Sequence, residues 1–219
     1  KFGLPTTYGL YIALITPDGK LMEEIDPGQV ANPEALAGRL TAAFRGYRDH
    51  LYAEKLKPVI TNKEAAKQDV RAAVQTVWRL GILSADADIV ALLGRADVTP
   101  SDRGRLYAML ASFATQPCVD ALLAAAAKGD KDAERALGRA EAGALEWLLA
   151  RMPPQEGEAN AEQMAAYRAA VQIARAGSAK QDAFWKTAKG EERGRELEYV
   201  RNKAEPVLAY WKETVGMWR

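Results

Sequence analysis

The only histidine of the chain is His50, in the run Arg48-Asp49-His50-Leu51. A histidine that acts as a general base needs an oriented set of partners, usually a nucleophile and a carboxylate. The residues around His50 do not supply that set. We therefore expect His50 to be a surface or boundary residue rather than a catalytic one.

The only cysteine is Cys118, which follows Pro117 near the start of a predicted helix. A helix N-terminus can lower the pKa of a thiol, and this makes Cys118 a candidate reactive thiol. Its apolar neighbours Val119 and Leu122 favour a small core residue instead. One cysteine cannot form a cycling dithiol within the chain.

The composition argues against several classes of site and partner. One cysteine and one histidine exclude a Cys-based zinc site and a His-rich metal site, and the motifs of phosphate-binding, dinucleotide-binding, zinc-protease and calcium loops are absent. The 30 Lys and Arg nearly balance the 29 Asp and Glu, which disfavours a protein that coats nucleic acid or an anionic membrane. No apolar run reaches the roughly 20 residues of a transmembrane span. We expect no catalytic residue, cofactor or metal, and a non-enzymatic protein is favoured.

The elements that must position these side chains differ before and after residue 60. Residues 8–15 are rich in β-formers, Thr16-Pro17-Asp18-Gly19 has the composition of a tight turn, and residues 20–25 supply a second strand. Both faces of the first strand are apolar, which makes Tyr11 a candidate contact residue. A helix is expected from Asn32-Pro33-Glu34 and should end before Pro58.

This first segment resembles a known family. Gly3-Leu4-Pro5-Thr6, an apolar strand, Pro17-Asp18-Gly19-Lys20, a second strand and a closing helix are similar to the C-terminal half of a thioredoxin-like domain, over about residues 2–56. The resemblance implies that Pro5 is the cis-proline beside the redox cysteines of that family. It also implies that the Cys-x-x-Cys motif lies upstream of Lys1, so that the chain would be a fragment of an oxidoreductase whose redox cysteines lie elsewhere.

Residues 61–219 form an alanine-rich region with helical periodicity, and about a fifth of the whole chain is alanine, the strongest helix former. Helices are predicted from Thr61-Asn62-Lys63-Glu64 to Gly81, over Asp86–Leu93, and after the starts at Thr99 and Pro117. A further helix pair begins at residues 133–137, and residues 152–158 are an exposed loop.

An internal repeat runs through this helical region. Apolar anchors at Leu80, Leu110, Leu137 and Ile173 are spaced by 30, 27 and 36 residues. Each anchor is followed 11–13 positions later by two adjacent apolar residues, Leu92-Leu93, Leu122-Leu123, Leu148-Leu149 and Phe184-Trp185. The pattern resembles short HEAT-type repeats over about residues 61–187, which implies a stacked α-solenoid. An irregular helical bundle remains the alternative.

The C-terminal segment is rich in aromatic residues. A charged helix is expected over residues 191–202 and a last helix after Pro206, carrying Tyr210, Trp211 and Trp218. This end would cap the solenoid or serve as a partner surface.

A remote alternative is DNA binding or repair. Trp78-Arg79, and Trp147 near Arg151, resemble the concave faces of HEAT-like DNA glycosylases. The balanced charge argues against it, because phosphate contacts need a concentrated basic stripe.

Together these observations predict a mostly α protein in which a β-hairpin and long helix (residues 1–60) precede a HEAT-like array (residues 61–219). The expected function is a scaffold or accessory subunit that binds a protein partner or joins a larger complex. The oligomeric state is left open. The processed-looking start and the thioredoxin-like resemblance favour a bacterial periplasm or cell envelope over the cytoplasm.

Overall fold

The computed structural model describes residues 12–16, 19–26, 28, 30 and 32–216, and within them the protein is mostly helical with one two-stranded hairpin. The chain divides into two compact units, residues 1–82 and 83–219. This division lies further along the chain than the one expected near residue 60. Pro5, Tyr11 and Trp218, three of the predicted site residues, lie outside the described residues.

The hairpin at the start of the first unit is confirmed. Strands β1 (Ile12–Ile15) and β2 (Leu21–Ile25) pair antiparallel, with Ile12 opposite Ile25. The turn closes through a hydrogen bond from the Thr16 N–H to the Lys20 carbonyl at 2.8 Å, and Gly19 has a φ of 81°, which glycine adopts without steric penalty. Ile25 is fully buried and ties the hairpin to the unit.

In the described part of the first unit, the hairpin is followed by the α-helices α1 (Pro33–Leu51), α2 (Lys57–Thr61) and α3 (Lys67–Leu80). The predicted N-cap is confirmed, since Asn32 Oδ1 accepts a hydrogen bond from the Ala35 N–H at 2.8 Å.

The predicted helix end before Pro58 is wrong. Helical structure continues from α1 through a π-helical turn, Tyr52–Leu56, into α2, which contains Pro58. Proline breaks a helix because it lacks an N–H and its ring meets the carbonyl four residues earlier. The wider π turn lies at that place and accommodates the ring.

Helix α3 begins later than predicted and ends where predicted. Asn62 Oδ1 accepts from the Glu64 N–H at 2.9 Å, which forms a turn between α2 and α3 instead of a helix start. Gly81 ends α3 in the left-handed conformation, with a φ of 61°. Arg48, buried on α1, donates from Nη1 to the carbonyls of Leu80 and Gly81 at 2.9 and 3.2 Å, and so satisfies the end of α3.

The second unit is entirely helical in the part of it that the structure describes, apart from turns and loops. Short 3₁₀ turns, Leu83–Ala85 and Ala142–Ala144, precede α4 and α8. The α-helices are α4 (Asp86–Leu92), α5 (Pro100–Phe113), α6 (Gln116–Ala127), α7 (Lys131–Leu137), α8 (Leu145–Leu149), α9 (Ala161–Ile173), α10 (Asp182–Thr187) and α11 (Gly190–Thr214).

Helix α6 lies at the centre of this unit. It packs against α4, α5, α7, α8 and α9. Its apolar face, with Val119, Leu122 and Leu123, is fully buried, as the sequence predicted. Four apolar residues of α5, Leu106, Met109, Leu110 and Phe113, are likewise buried.

Two local caps fix the helices around α6. Thr99 and Asp102 form a reciprocal capping box at the start of α5. Asp130 follows the left-handed Gly129 and caps α7, accepting from the N–H groups of Asp132 and Ala133 at 3.0 and 3.1 Å. The Tyr107 hydroxyl donates to the same carboxylate at 2.9 Å and joins α5 to the cap.

Helix α11 is one continuous helix, and the break predicted at Pro206 is wrong. Because Pro206 has no N–H, the carbonyl of Asn202 lacks the hydrogen bond that it would otherwise accept within the helix. Asn202 and Pro206 are both exposed, so water can replace the missing bond. Among the residues described, no helix combines the length and apolar character needed to cross a membrane.

Candidate binding site

An open cleft of about 750 Å³ lies within the second unit. It is bordered by the end of α6, the start of α7, the residues that lead into α9, and by α9, α10 and α11. Its volume is in the range of small-molecule sites. The sequence did not predict a binding site in this region.

Small residues form one wall of the cleft. Ala126 and Ala127 close α6, and Ala161 and Ala165 lie on α9. Met164 adds a flexible apolar side chain beside them. Because alanine has nothing beyond Cβ, the helices leave open space between them here.

Paired charges cross the rim of the cleft. Arg168 on α9 contacts Asp182 at 2.5 Å and Glu134 at 3.6 Å, and Lys131 contacts Glu134 at 2.7 Å. The hydrogen bond from Lys131 lowers the pKa of Glu134 against the opposing effect of burial, and the charge of Arg168 adds to it. A second depression of about 380 Å³ shares Glu134 and Arg168 with this rim.

Arg193 on α11 lines the interior of the cleft and is only 9% exposed. Its Nη1 donates to the Gly157 carbonyl at 2.5 Å, and its Nη2 donates to the Trp185 carbonyl. Within the described part of the chain no carboxylate pairs with this guanidinium, and its Nε–H has no acceptor. Within the described residues, Arg193 is therefore a buried positive charge whose hydrogen bonds go to backbone carbonyls.

Trp185 on α10 lies beside Arg193 and is 4% exposed. Its ring meets Tyr167 and Phe184 edge to face, with ring centroids 4.9 and 5.3 Å apart. The indole Nε1–H is buried, and the described residues offer it no acceptor.

Tyr167 fixes this aromatic cluster in place. Its hydroxyl donates to Glu196 Oε1 at 2.6 Å and accepts from the Lys180 N–H at 2.8 Å. Burial raises the pKa of Tyr167 well above its usual range, and the hydrogen bond to Glu196 adds to the shift. The phenol is thus held neutral as a donor to Glu196, and the wall that carries Trp185 is well defined.

The residues that line the cleft include a buried positive charge and two side chains, Arg193 and Trp185, that each have an N–H donor without an acceptor among the described residues, a combination suited to binding an acceptor group. Among the residues that the structure describes, no group of three His, Cys, Asp or Glu could hold a metal ion.

The two predicted contact residues that the structure describes, Tyr210 and Trp211, lie elsewhere, near the end of α11. Tyr210 is 69% exposed. Trp211 is half-buried over Gly143, and its Nε1 donates to Glu141 Oε2 at 3.4 Å. The structure does not bring either residue into the cleft.

Cys118 is fully buried on α6. Burial raises the pKa of its thiol to about 11, although a hydrogen bond with Thr115 opposes the shift. A thiolate is thus disfavoured at this position, which argues against the reactive-thiol hypothesis.

The remaining residues that the sequence singled out do not converge on one place. His50 is exposed on α1. Arg151, considered with Trp147 for a nucleotide-binding face, is paired with Asp120 at 2.5 Å and donates to the Trp147 carbonyl at 3.1 Å.

The sequence did not predict Arg168, Trp185 or Arg193 as site residues. One signal was available for Arg193, which stands four, seven and eleven residues before the buried Leu197, Val200 and Ala204. A charged residue on the apolar face of a helix indicates a buried cation with a structural or binding role.

Comparison of the chain with protein-family models, with curated proteins and with solved structures finds no match.

Proposed function

We propose that this protein is a non-enzymatic scaffold or accessory subunit that presents a helical surface to a protein partner. The observation that carries the proposal is that Tyr210 is 69% exposed on α11, while Trp211, the next residue of the same helix, is packed into the second unit. Tyr199 is 46% exposed and lies eleven residues earlier. Eleven residues are about three helical turns, so the two tyrosines share one side of α11. We call Tyr199 and Tyr210 the tyrosine face.

The helix that carries the tyrosine face is held at its C-terminal half. The Trp211 ring packs directly on Gly143, and Lys212 Nζ lies 3.2 Å from Glu146 Oε2. A side chain presented on a fixed helix loses little freedom when it binds, which favours affinity. Tyrosine is enriched at the centres of protein interfaces because its ring buries a large area while its hydroxyl keeps a hydrogen bond.

The proposal extends to the repeat architecture expected from the sequence. Of the four anchors, Leu110 and Leu137 are buried and Leu80 and Ile173 are half-buried, a pattern that is compatible with stacked helix pairs. The packing of α6 against five helices fits the irregular bundle equally well, so the functional proposal rests on the tyrosine face alone.

Site-specific photo-crosslinking in cells of the source organism tests the proposal. The photoreactive amino acid benzoylphenylalanine is placed at position 210, at position 199, or at the exposed control position of Glu205, which lies on a different side of the same helix. We expect positions 199 and 210 to give an adduct with the same protein and position 205 to give none.

The purified pair then provides a quantitative check. We expect Tyr210→Ala to weaken the affinity of the isolated complex by about tenfold or more, as for a residue at the centre of an interface, and Glu205→Ala to leave it unchanged. Equal crosslinking from all three positions, or none from the tyrosine face, would refute the proposal.

A further inference from the structure

We propose that the cleft of the second unit binds a small anionic ligand, whose carboxylate or phosphate group accepts hydrogen bonds from Arg193 Nε–H and Trp185 Nε1–H. This site is separate from the tyrosine face, and neither proposal depends on the other.

The unbalanced charge of the cleft is the first argument. Arg168 and Lys131 are already paired with Glu134, and Arg168 also with Asp182. Arg193 is buried and has no carboxylate partner among the described residues. An arginine remains charged at all physiological pH values, and a buried charge is unfavourable unless it is paired. An anion in the cleft would complete that pairing.

Lys186 adds to the same imbalance. It is exposed, lines the cleft next to Trp185 in the sequence, and forms no ion pair within the described ranges. Glu158 also lines the cleft and likewise forms no ion pair within those ranges.

The unused donors are the second argument. Guanidinium and indole groups donate hydrogen bonds and accept none, so the complementary ligand group must be an acceptor. Each Nη atom of Arg193 donates to a backbone carbonyl, and among the described residues Nε is the guanidinium nitrogen that has no acceptor. A ligand group with at least two oxygens can take one bond from Arg193 Nε–H and one from Trp185 Nε1–H.

The shape of the cleft defines the rest of the ligand. The wall of Ala126, Ala127, Ala161, Ala165 and Met164 is apolar, so the anion should carry an apolar body. The volume of about 750 Å³ matches a small molecule. Both donor nitrogens are covered by neighbouring atoms in the free protein, so binding includes a small local opening of the cleft wall.

Three probes of similar size and different charge test the proposal on the full chain: benzoate, phenyl phosphate and neutral benzamide. Binding is measured by isothermal titration calorimetry on the wild type, on Trp185→Phe and on Trp147→Phe. Trp185→Phe keeps an aromatic ring beside Tyr167 and Phe184 and removes the unused N–H. Trp147→Phe is the matched control, because Trp147 does not line the cleft.

We expect at least one of the two anions to bind the wild type and Trp147→Phe with the same saturable affinity, and benzamide not to bind. Trp185→Phe should weaken that affinity by about tenfold, the loss typical of a hydrogen bond to a charged group. Preference for benzoate or for phenyl phosphate identifies the ligand as a carboxylate or a phosphate ester.

Arg193→Lys supplies a second variant that keeps the charge and removes Nε–H, and circular dichroism verifies that each variant is folded. Equal affinity of the anions for the wild type and Trp185→Phe would overturn the proposal, as would equally tight binding of benzamide or the absence of saturable binding by both anions.

Discussion

Replacing Gly143 with alanine places a methyl group where the Trp211 ring already lies. A Cβ built at position 143 would be 2.6 Å from Cη2, 2.8 Å from Cζ2 and 3.0 Å from Cζ3 of that ring. Carbon atoms pack favourably at about 3.5–4.0 Å, so the ring must move by roughly 1 Å. The ring is also held by the hydrogen bond from Trp211 Nε1 to Glu141, which resists the movement.

The expected loss of stability follows from these distances. Forcing an extra methyl group into a packed contact destabilises a protein by about 1–3 kcal/mol. The better helix propensity of alanine offsets at most about 1 kcal/mol of this destabilisation. We expect Gly143→Ala to lower the free energy of unfolding by about 1–2 kcal/mol and the Tm by about 2–4 °C for each kcal/mol.

The same substitution at Gly104 on α5 is the matched control. A Cβ at position 104 meets no atom of the described residues within 4 Å, so alanine should stabilise the protein there by about 0.5–1 kcal/mol. Urea denaturation and thermal unfolding, followed by circular dichroism, compare the two variants with the wild type. The two glycines should thus respond with opposite signs.

A double-mutant cycle attributes the loss to the tryptophan contact. Trp211→Phe removes the second ring that faces Gly143, and in that background Gly143→Ala should cost close to nothing. A Gly143→Ala variant as stable as the wild type, or one that loses the same stability in both backgrounds, would refute the packing argument.

Three further predictions follow from single contacts. Asp130→Ala should destabilise the protein by about 1–2 kcal/mol near pH 7, because it removes the cap of α7 and the Tyr107 bond. Although burial opposes ionisation, hydrogen bonds from Ala133, Tyr107 and Asp132 lower the pKa of Asp130. A lowered pKa stabilises the folded protein at pH values above the usual aspartate pKa, and this stabilisation is lost as the pH falls through the folded-state pKa. Urea denaturation should therefore show the free energies of unfolding of the variant and the wild type converging in acid. In chemical denaturation, the free energy of unfolding of Trp185→Phe should stay within about 1 kcal/mol of the wild-type value, because removing a buried N–H without an acceptor offsets the packing lost with the smaller ring. A loss of about 3 kcal/mol would indicate that the N–H has an acceptor in the wild type. Pro206→Ala should raise stability by about 1–3 kcal/mol in thermal unfolding, because it restores a hydrogen bond inside α11, and an unchanged Tm would contradict that account.

The sequence predicted many helix boundaries because their signals are local. The Asn32 and Thr99 caps act on N–H groups three residues away, and Gly81 ends a helix through its own backbone conformation. The same local rules were wrong at Pro58 and Pro206. Whether a proline ends a helix depends on the backbone just before it and on access of water to the freed carbonyl, and neither is visible in residue types.

The cleft depended on the tertiary structure. Arg193 donates to the carbonyl of Gly157, 36 residues earlier, and Tyr167 reaches Glu196, 29 residues later. No short motif spans such separations, because the contacts form only when α9, α10 and α11 pack together. By itself the sequence determined a mostly α chain with an N-terminal hairpin, through periodicity, caps and turns. Only the packed structure decided which charge is buried without a partner and which tyrosines face solvent, because burial is a property of neighbouring helices and not of residue order.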